Sequence, residues 1–272
     1  MPEGHTIHRL ARQHRPLLTG KPVAVSSPQG RFAEGAGVLD GRHVTRVDAY
    51  GKHLFYRFRG DKRRGLWLHV HLGLFGVFRS GQAPAPVPRG AIRLRMVTDA
   101  AWMDLRGPTA CEVLEPAGRA AVLARLGPDP LRRDADPDQA WARLSRSARG
   151  IGSLLMDQRV IAGIGNVYRA ESLFRSGLDP FRAGATLHEA EWSRLWSDLR
   201  NLLRSGVSTG RIITTRPEDR SSRSQRVPTK DAHYVYRRAG LPCRVCGAVV
   251  RTSEVDGRRL YWCPECQSGS RT

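Results

Sequence analysis

Three short segments in the first half of the chain alternate apolar and polar residues with a period of two. They lie at 53–58, 66–72 and 92–96. In the second segment, leucines and a valine alternate with one tryptophan and two histidines. Because successive side chains of a strand point to opposite faces, each segment predicts a strand with one buried face. Several such strands predict an antiparallel sheet or sandwich.

Helical spacing of apolar residues marks the N-terminus and the middle of the chain. Residues 3–15 show this spacing, and Pro16 predicts that the first helix stops just before it. Asp136-Pro137 is a typical start for a second helix. Thr186 gives the same signal for a long helix that ends at Gly206. Its apolar face is formed by Trp192, Leu195, Trp196, Leu199, Leu202 and Leu203.

These patterns predict an α+β chain with a defined order of domains. A β-rich N-terminal domain covers residues 1–120, and a Gly/Pro-containing hinge covers 121–135. A helical domain covers 136–240, and its polar stretch 207–232 is expected to be a mobile loop. Residues 241–272 form a small C-terminal hairpin. A cleft between the two larger lobes is where an extended ligand could lie.

The charge of the chain narrows the class of ligand. Its 272 residues include 45 Lys and Arg against 25 Asp and Glu, a formal net charge of +20 that is spread along the sequence. This surplus favours a polyanionic partner, with nucleic acid first and an anionic membrane surface second. A genome biased toward arginine would also raise the charge. The first twenty residues are too charged for a secretory signal, and no apolar run is long enough for a membrane span, which predicts a cytosolic, nucleoid-associated protein without a membrane partner.

Four of the five cysteines form two closely spaced pairs near the C-terminus. They are Cys243, Cys246, Cys263 and Cys266. Two Cys-x2-Cys pairs separated by sixteen residues are typical of a four-cysteine zinc site. Since all four ligands of tetrahedral Zn²⁺ are then supplied, the single zinc is structural. The remaining Cys111 is expected to be an inert, partly buried thiol.

The N-terminal triplet Met1-Pro2-Glu3 carries the candidate chemistry. Removal of Met1 would leave Pro2 with a free secondary amine, which is much less basic than a lysine and therefore partly unprotonated near neutral pH. Such an amine condenses with a sugar aldehyde to a cationic iminium, from which elimination is easy. Glu3 is placed to move protons. Taken alone, the triplet is also typical of an ordinary helix start.

Four motifs, in order, resemble the formamidopyrimidine-DNA glycosylase/endonuclease VIII family over essentially the whole chain. They are the Pro-Glu terminus, Gly51-Lys52-His53-Leu54, the segment QRVIAGIGNVY at 158–168 and the segment GRRLYWCPECQ at 257–267. The resemblance implies an N-terminal β-sandwich with an N-terminal helix, a helix–two-turn–helix domain and a zinc-ribbon hairpin. It also implies a bifunctional DNA glycosylase with abasic-site lyase activity.

The resemblance assigns roles to residues of each motif. Pro2 would attack C1′ of the damaged nucleotide, and Glu3 would act as acid and base. Lys52 would contact phosphates that flank the lesion, and the Arg258 guanidinium would clamp the lesion phosphate in two-point fashion. These four are the expected catalytic residues.

Five further residues are expected at the DNA. Arg159 would face phosphates, and Asn166 follows a Gly-Ile-Gly turn at a helix start that suits a phosphate. Glu171 corresponds to a family position inside the active site. Leu74 and Phe75 lie between two glycines and either wedge into the base stack or belong to the core of the sheet.

The preferred lesion is indicated by positions at which this sequence differs from the formamidopyrimidine branch of the family. The formamidopyrimidine branch carries an Arg-Arg-Phe-Gly stretch, whereas this chain has Asp104-Leu105-Arg106-Gly107-Pro108. Gly4 and the Tyr-Trp-Cys-Pro segment resemble the endonuclease VIII branch, which prefers oxidised pyrimidines. The family's usual Glu at the sixth position is Thr6 here. The alternatives are a preference for 8-oxoguanine or formamidopyrimidines, and a non-catalytic zinc-ribbon protein that binds DNA lesions. The expected partner is damaged or abasic double-stranded DNA, bound by a monomer.

Overall fold

The computed structural model describes residues 2–60, 65–221 and 227–268. Met1, whose removal the sequence predicts, lies outside the described residues. The chain forms two compact units, Met1–Arg125 and Leu126–Thr272. No helix among the described residues is both long and apolar enough to cross a bilayer.

The first unit begins with helix α1, Gly4–Leu18, which continues past Pro16 rather than stopping before it. Proline lacks the N–H for a helical hydrogen bond, but the last turn is retained by packing. Leu18 is fully buried in the core of this unit, and the backbone N–H of Thr19 donates to the Arg15 carbonyl at 3.0 Å. The burial of Leu18 outweighs the local effect of the proline.

In the described part of this unit, eight strands form two antiparallel four-stranded sheets, as the alternation predicts. One sheet has the order β2-β3-β4-β8, with bounds Val44–Tyr50, His53–Phe58, Leu66–His71 and Ala110–Leu114. The other has the order β1-β6-β7-β5, with bounds Ala24–Ser26, Ile92–Val97, Ala101–Arg106 and Val77–Gln82. Two further helices are α2, Ala33–Leu39, and α3, Pro116–Ala124. The predicted strands at 53–58, 66–72 and 92–96 correspond to β3, β4 and β6.

The β2-β3-β4-β8 sheet buries side chains on both faces. One face joins α1 and the second sheet in the main core, which includes Tyr56, Leu68 and Leu94. On the other face, Phe55 and Trp67 pack against α3. Because both faces are covered, polar groups buried on this sheet require hydrogen-bond partners.

The second unit is helical. Its helices are α4, Pro137–Leu144, α5, Ile151–Leu154, α6, Asn166–Arg175, and α7, Glu189–Thr209. Asp136 caps α4 as predicted, accepting a 2.9 Å hydrogen bond from the backbone N–H of Asp138. The two-tryptophan face of α7 lies in the core of the unit.

Both ends of α7 differ from the prediction. The N-cap is His188 rather than Thr186, because the Glu191 carboxylate reaches back to accept from the His188 backbone N–H at 2.8 Å. At the other end, Gly206 is a buried residue within the helix. The helix stops at Gly210, whose φ of 74° is a left-handed conformation that glycine adopts readily.

The stretch after α7 is predicted from its composition to be a mobile loop, but its described part is packed. Thr214, Thr215 and Asp231 are buried. The backbone N–H of Thr214 donates to the Ala232 carbonyl at 2.9 Å, and the Thr215 hydroxyl donates to the Asp231 carbonyl at 2.6 Å. Residues 222–226 lie outside the described part. The chain ends in a hairpin of β9, Arg251–Val255, and β10, Arg258–Trp262.

Candidate active site and zinc centre

Pro2 and Glu3 lie at the start of α1. Pro2 is half-buried, and Glu3 is fully buried at the N-cap position. The Glu3 carbonyl accepts the backbone N–H of Thr6 at 2.9 Å. Next to it, burial lowers the pKa of His5 to about 4, so this imidazole is neutral at physiological pH. The buried Glu3 carboxyl group thus lies next in sequence to Pro2, which is partly exposed. A carboxyl group shielded from water in this way is suited to proton transfer.

Lys52 lies in the tight turn between β2 and β3. Gly51 precedes it with a φ of 54°, a conformation that favours glycine. The Lys52 ammonium acts electrostatically on His53 and His71, so the turn is close to the end of β4. The position is that of a cation on a rigid turn, which is what a phosphate contact requires.

His71 is a candidate that sequence reasoning missed. Its Nδ1 accepts the backbone N–H of Gly73 at 3.2 Å. A neutral imidazole with this bond carries its proton on Nε2, which makes His71 a hydrogen-bond donor beside Lys52. The signal available in the sequence is a histidine two residues before Gly73, the first glycine of the Gly-Leu-Phe-Gly turn.

Leu74 and Phe75 protrude from the turn that follows β4. Their side chains are 51% and 85% exposed, so they do not belong to the core of the sheet. The turn is tight, because a Cβ atom added to Gly76 would lie 2.2 Å from the Leu72 carbonyl oxygen. A glycine-bounded turn therefore presents two large apolar side chains to the surface.

In the second unit, the N-terminus of α6 is joined to the zinc hairpin. The Asn166 side chain donates through Nδ2 to the Arg259 carbonyl at 2.9 Å, and its Oδ1 accepts from Arg169. The N-cap of α6 is Gly165, and Asn166 is the first helical residue. The predicted helix start is therefore correct, and its side chain connects two elements of the unit.

Gln158 builds the turn in front of α6, a role that sequence reasoning missed. Its Nε2 donates to the carbonyls of Met156 and Ile164 at 2.9 and 3.0 Å, and its Oε1 accepts the Gly163 backbone N–H at 3.0 Å. The Gln158 side chain thus forms hydrogen bonds with three backbone groups of a glycine-rich turn. These bonds hold the turn in place, so that backbone N–H groups at the start of α6 are available to a phosphate.

Glu171, which the resemblance assigns to the active site, is fully buried and bound to backbone groups of its own unit. Its Oε1 accepts the backbone N–H groups of Val235 and Tyr236 at 2.8 and 2.7 Å. Its Oε2 accepts the Tyr234 N–H at 2.7 Å and the Thr214 hydroxyl. The carboxylate thus fixes the strap of residues 234–236 that leads into the zinc ribbon.

Arg159 and Arg258 both lie at the surface of the second unit. The Arg159 side chain is 74% exposed and is held by Asp157, with Nη2 3.0 Å from Oδ2. The hydrogen bond from Arg159 is the main cause that lowers the pKa of Asp157 to about 2. Arg258 is the exposed first residue of β10, directly after a turn in which Asp256 and Gly257 have φ values of 52° and 69°. A hairpin tip thus carries the arginine, as predicted.

The four C-terminal cysteines converge. Their sulfur atoms all lie within 4.8 Å of one another, with 3.4 Å between Cys246 and Cys263 and 3.8 Å between Cys243 and Cys266. A tetrahedral site with Zn–S bonds of about 2.3 Å requires sulfur separations of about 3.8 Å. The donor set therefore fits one structural zinc.

Two features complete the description of the cysteine region. Gln267, which follows the last cysteine, donates through Nε2 to the Leu178 carbonyl at 2.8 Å and so ties the base of the ribbon to the helical unit. Cys111 lies apart on β8 and is partly buried, and burial raises the pKa of its thiol to about 12. At physiological pH it is a thiol rather than a reactive thiolate.

Three protein-family profiles match successive parts of the chain. The formamidopyrimidine-DNA glycosylase N-terminal domain matches residues 1–111, and the H2TH domain of the same glycosylase matches 126–218. The zinc finger found in FPG and IleRS matches 240–269. Together they span both units and the ribbon.

Relatives give the same result over the full length. Endonuclease 8 1 of Mycobacterium tuberculosis is 52% identical, over 98% of this chain and all of the relative. The crystal structure of the MutM (Fpg) protein from Thermus thermophilus has a TM-score of 0.76 at 31% identity, covering 99% of this chain and 100% of that one. Lactococcus lactis Fpg, solved with DNA that contains an abasic site, shares the fold with a TM-score of 0.79 at 21% identity, over 97% and 99% of the two chains. The chain belongs to the formamidopyrimidine-DNA glycosylase/endonuclease VIII family of base-excision-repair DNA glycosylases.

Proposed function

We propose that this glycosylase is bifunctional and also cleaves the DNA strand at the abasic site. After removal of Met1, the Pro2 amine attacks C1′ of the damaged nucleotide and the glycosidic bond breaks. Glu3 protonates the sugar ring oxygen as the ring opens, which leaves a Pro2 iminium. Loss of a C2′ proton then expels the 3′ phosphate, a second elimination expels the 5′ phosphate, and water releases the proline.

The observation that carries the proposal is the pairing of a half-buried Pro2 with a fully buried Glu3 at the start of a chain that matches the family along its length. The catalytic proposal gives this costly buried carboxyl group a role, that of acid and base next to the Pro2 amine. The alternative of a non-catalytic zinc-ribbon protein does not account for this pair.

Phosphate contacts would come from both units. Lys52 and His71 provide a cation and an N–H donor in the first unit. Arg258 and the glycine-rich start of α6 at Asn166 provide them in the second. Contacts to phosphates do not depend on the base sequence of the DNA. They therefore suit an enzyme that searches for lesions in DNA of any sequence.

Access to C1′ requires that the damaged nucleotide leave the base stack. Leu74 and Phe75 are suited to fill the vacancy, because they are large, apolar and exposed on a tight turn. The partner is therefore double-stranded DNA that contains a damaged base or an abasic site.

We further propose oxidised pyrimidines as the preferred lesions. The 52% identity to a protein named endonuclease 8 1 supports this preference, as does the absence of an Arg-Arg-Phe-Gly stretch at 104–108. In that segment Asp104 forms a buried two-point ion pair with Arg95, at 2.7 and 2.8 Å, so the carboxylate serves the sheet rather than a DNA base. The second candidate, 8-oxoguanine, is favoured by the 31% identity to the Thermus protein named MutM (Fpg).

Borohydride trapping tests the lyase step. The purified chain, with Met1 removal verified by mass spectrometry, is mixed with abasic-site duplex and sodium borohydride, and a covalent protein–DNA adduct is expected. A matched control that retains an N-terminal extension should give no adduct, because its Pro2 nitrogen is part of an amide. Absence of an adduct from the processed protein would overturn the lyase assignment.

A lesion panel tests the substrate. Duplexes with thymine glycol, dihydrouracil or 8-oxoguanine are compared under single-turnover conditions, each opposite all four bases. We expect faster excision of the two pyrimidines. A clear preference for 8-oxoguanine opposite cytosine would replace the pyrimidine assignment while leaving the glycosylase class intact.

A further inference from the structure

Three histidines lie together on the α3-facing side of the β2-β3-β4-β8 sheet, beside the turns that carry Lys52 and Phe75. In the strand register, His53 of β3 is opposite His71 of β4. His69 of β4 is opposite Glu112 of β8. Neighbouring strands thus bring three imidazoles and one carboxylate together at one end of the sheet.

Two hydrogen bonds link these groups in a row, which we name the His53–His69–Glu112 chain. His69 Nδ1 is 2.8 Å from Glu112 Oε1, and His69 Nε2 is 2.9 Å from His53 Nδ1. A carboxylate only accepts hydrogen bonds, so His69 carries its proton on Nδ1 and offers Nε2 as an acceptor. His53 must then donate from Nδ1. In a neutral chain, His53 Nε2 is therefore the unprotonated nitrogen.

Burial, together with nearby positive charges, keeps the three imidazoles neutral in the free protein. Burial is the first cause that lowers the pKa of His53, to about 3, with His69, His71, Arg125 and Lys52 adding to it. Burial also lowers the pKa values of His69 and His71. Glu112 is the opposing influence, since its hydrogen bond and its negative charge both raise the pKa of His69.

Helix α3 contributes a further cation on the same face of the sheet. Arg119 lies 5.2 and 4.3 Å above the rings of Phe55 and Trp67 and pairs with Asp48 at 2.9 Å. Phe55 in turn stacks on His69, with 4.9 Å between ring centroids. Among the named groups the cations Lys52, Arg119 and Arg125 exceed the anions Glu112 and Asp48 by one, and one bound phosphate would cancel this excess.

We propose that the His53–His69–Glu112 chain takes up one proton from solvent when a DNA phosphate binds beside Lys52 and His71. The inference rests on the phosphate contact proposed above. A proton adds to His53 Nε2, and the Nδ1 proton of His53 moves across to His69 Nε2. His53 is then neutral with a donor at Nε2, and His69 is an imidazolium next to the Glu112 carboxylate. His53 Nε2 thus changes from a hydrogen-bond acceptor to a donor, and the added positive charge lies on His69, next to the Glu112 carboxylate.

The exposure of the chain fits this exchange. His69, in the middle, has a side chain only 5% exposed, whereas the Glu112 side chain is 51% exposed and His53 is half-buried. Both ends therefore reach solvent, and the buried ring between them carries the proton. A buried imidazolium is costly unless an anion accompanies it, which is the role of Glu112.

Proton uptake is measured by isothermal titration calorimetry in buffers of different ionisation enthalpy. The ligand is a duplex with a tetrahydrofuran abasic analogue, which binds without reaction. Because the bound state holds more protons, affinity should fall as pH rises, with Kd increasing up to about tenfold per pH unit where one proton is linked. We expect uptake of a fraction of a proton near neutrality that grows as pH falls toward about 5.5.

Glu112→Gln separates this role from a merely structural one. The amide oxygen can still accept from His69, but the negative charge is lost, so the imidazolium loses its counter-ion. The variant should match the wild-type Kd near pH 8 and bind several-fold more weakly near pH 6. His69→Phe preserves the ring stacked on Phe55 and should also remove the uptake. His43→Gln, a histidine of the same unit outside the chain, should leave it unchanged.

The outcomes are distinguishable. Wild-type binding with no proton uptake across this range would overturn the inference, as would equal uptake in wild type and both chain variants. Weakening of Glu112→Gln by the same factor at every pH would show a structural role and also overturn it. Lys52→Ala tests the phosphate contact on which the inference rests. Unchanged DNA affinity in that variant would reject this contact, whatever proton uptake is measured.

Discussion

Removal of the Glu171 carboxylate is expected to be among the most destabilising single changes in the second unit. The side chain is fully buried and accepts the backbone N–H groups of Tyr234, Val235 and Tyr236 together with the Thr214 hydroxyl. A buried donor left without an acceptor costs about 1–3 kcal/mol. Three such backbone donors in Glu171→Ala give about 3–9 kcal/mol. That range is comparable with the whole stability of a typical domain, about 5–15 kcal/mol.

Glu171→Gln is the more informative variant because it keeps one carbonyl oxygen. That oxygen can still accept two of the backbone donors, but the amide nitrogen must face another donor. We therefore expect a loss of about 1–3 kcal/mol in the free energy of unfolding. Guanidinium denaturation with zinc present measures it, and hydrogen exchange should show lost protection at residues 234–236. Glu189→Gln, an exposed carboxylate in the first turn of α7, is the control and should change stability by less than about 0.5 kcal/mol.

A Glu171→Gln variant as stable as the control, with unchanged protection at 234–236, would refute this role of the carboxylate. Such a result would mean that the three amides find other acceptors or water when the carboxylate is absent. The strap would then be held by its other contacts, which include the stacking of Phe174 on Tyr234, with ring centroids 4.6 Å apart, and the hydrogen bond from the Arg216 backbone N–H to the Tyr234 hydroxyl at 2.8 Å.

The metal site and the surface give three further predictions. Cys263→Ser should lose both zinc and DNA binding, measured by metal analysis and fluorescence anisotropy, and retained lesion binding by the metal-free protein would contradict the role of the ribbon. Phe75→Ala should lower single-turnover excision while changing stability by less than about 0.5 kcal/mol, because the ring is 85% exposed; an equal loss of stability and activity would argue against a wedge. Asp157 has a pKa lowered to about 2, so the stabilisation of the fold by its ionised carboxylate is complete above about pH 4. This stabilisation is lost as the pH falls toward the lowered pKa. Acid titrations of Asp157→Asn should show that this part of the wild-type pH dependence is absent, at a cost of less than about 1 kcal/mol because Arg159 is exposed.

The sequence predicts those features that local chemistry determines. Alternation at 53–58 and 66–72 identifies two strands, since the period of two is itself a consequence of strand geometry. The four cysteines identify the metal site, because two Cys-x2-Cys pairs at this spacing are typical of zinc ligands. The cap at Asp136 is likewise a local hydrogen bond.

The incorrect and missed features depend on residues far apart in the sequence. Nothing near Pro16 indicates that the burial of Leu18 maintains the helix. The strap after α7 looks mobile from its polar composition, but its acceptor is Glu171, sixty-three residues before Tyr234. The His53–His69–Glu112 chain needs the register of three strands, which alternation alone does not provide.

The bonds at the two ends of the zinc hairpin separate what the metal does from what the helices do. Asn166 holds the backbone next to Arg258 at the tip, and Gln267 holds the base to Leu178. Neither bond involves a cysteine sulfur. Zinc thus keeps the ribbon folded, while the helical unit sets the direction in which its arginine points. The orientation of Arg258 therefore depends on α6 through Asn166. We expect that a substitution of Asn166 would change this orientation even when the hairpin has bound its zinc.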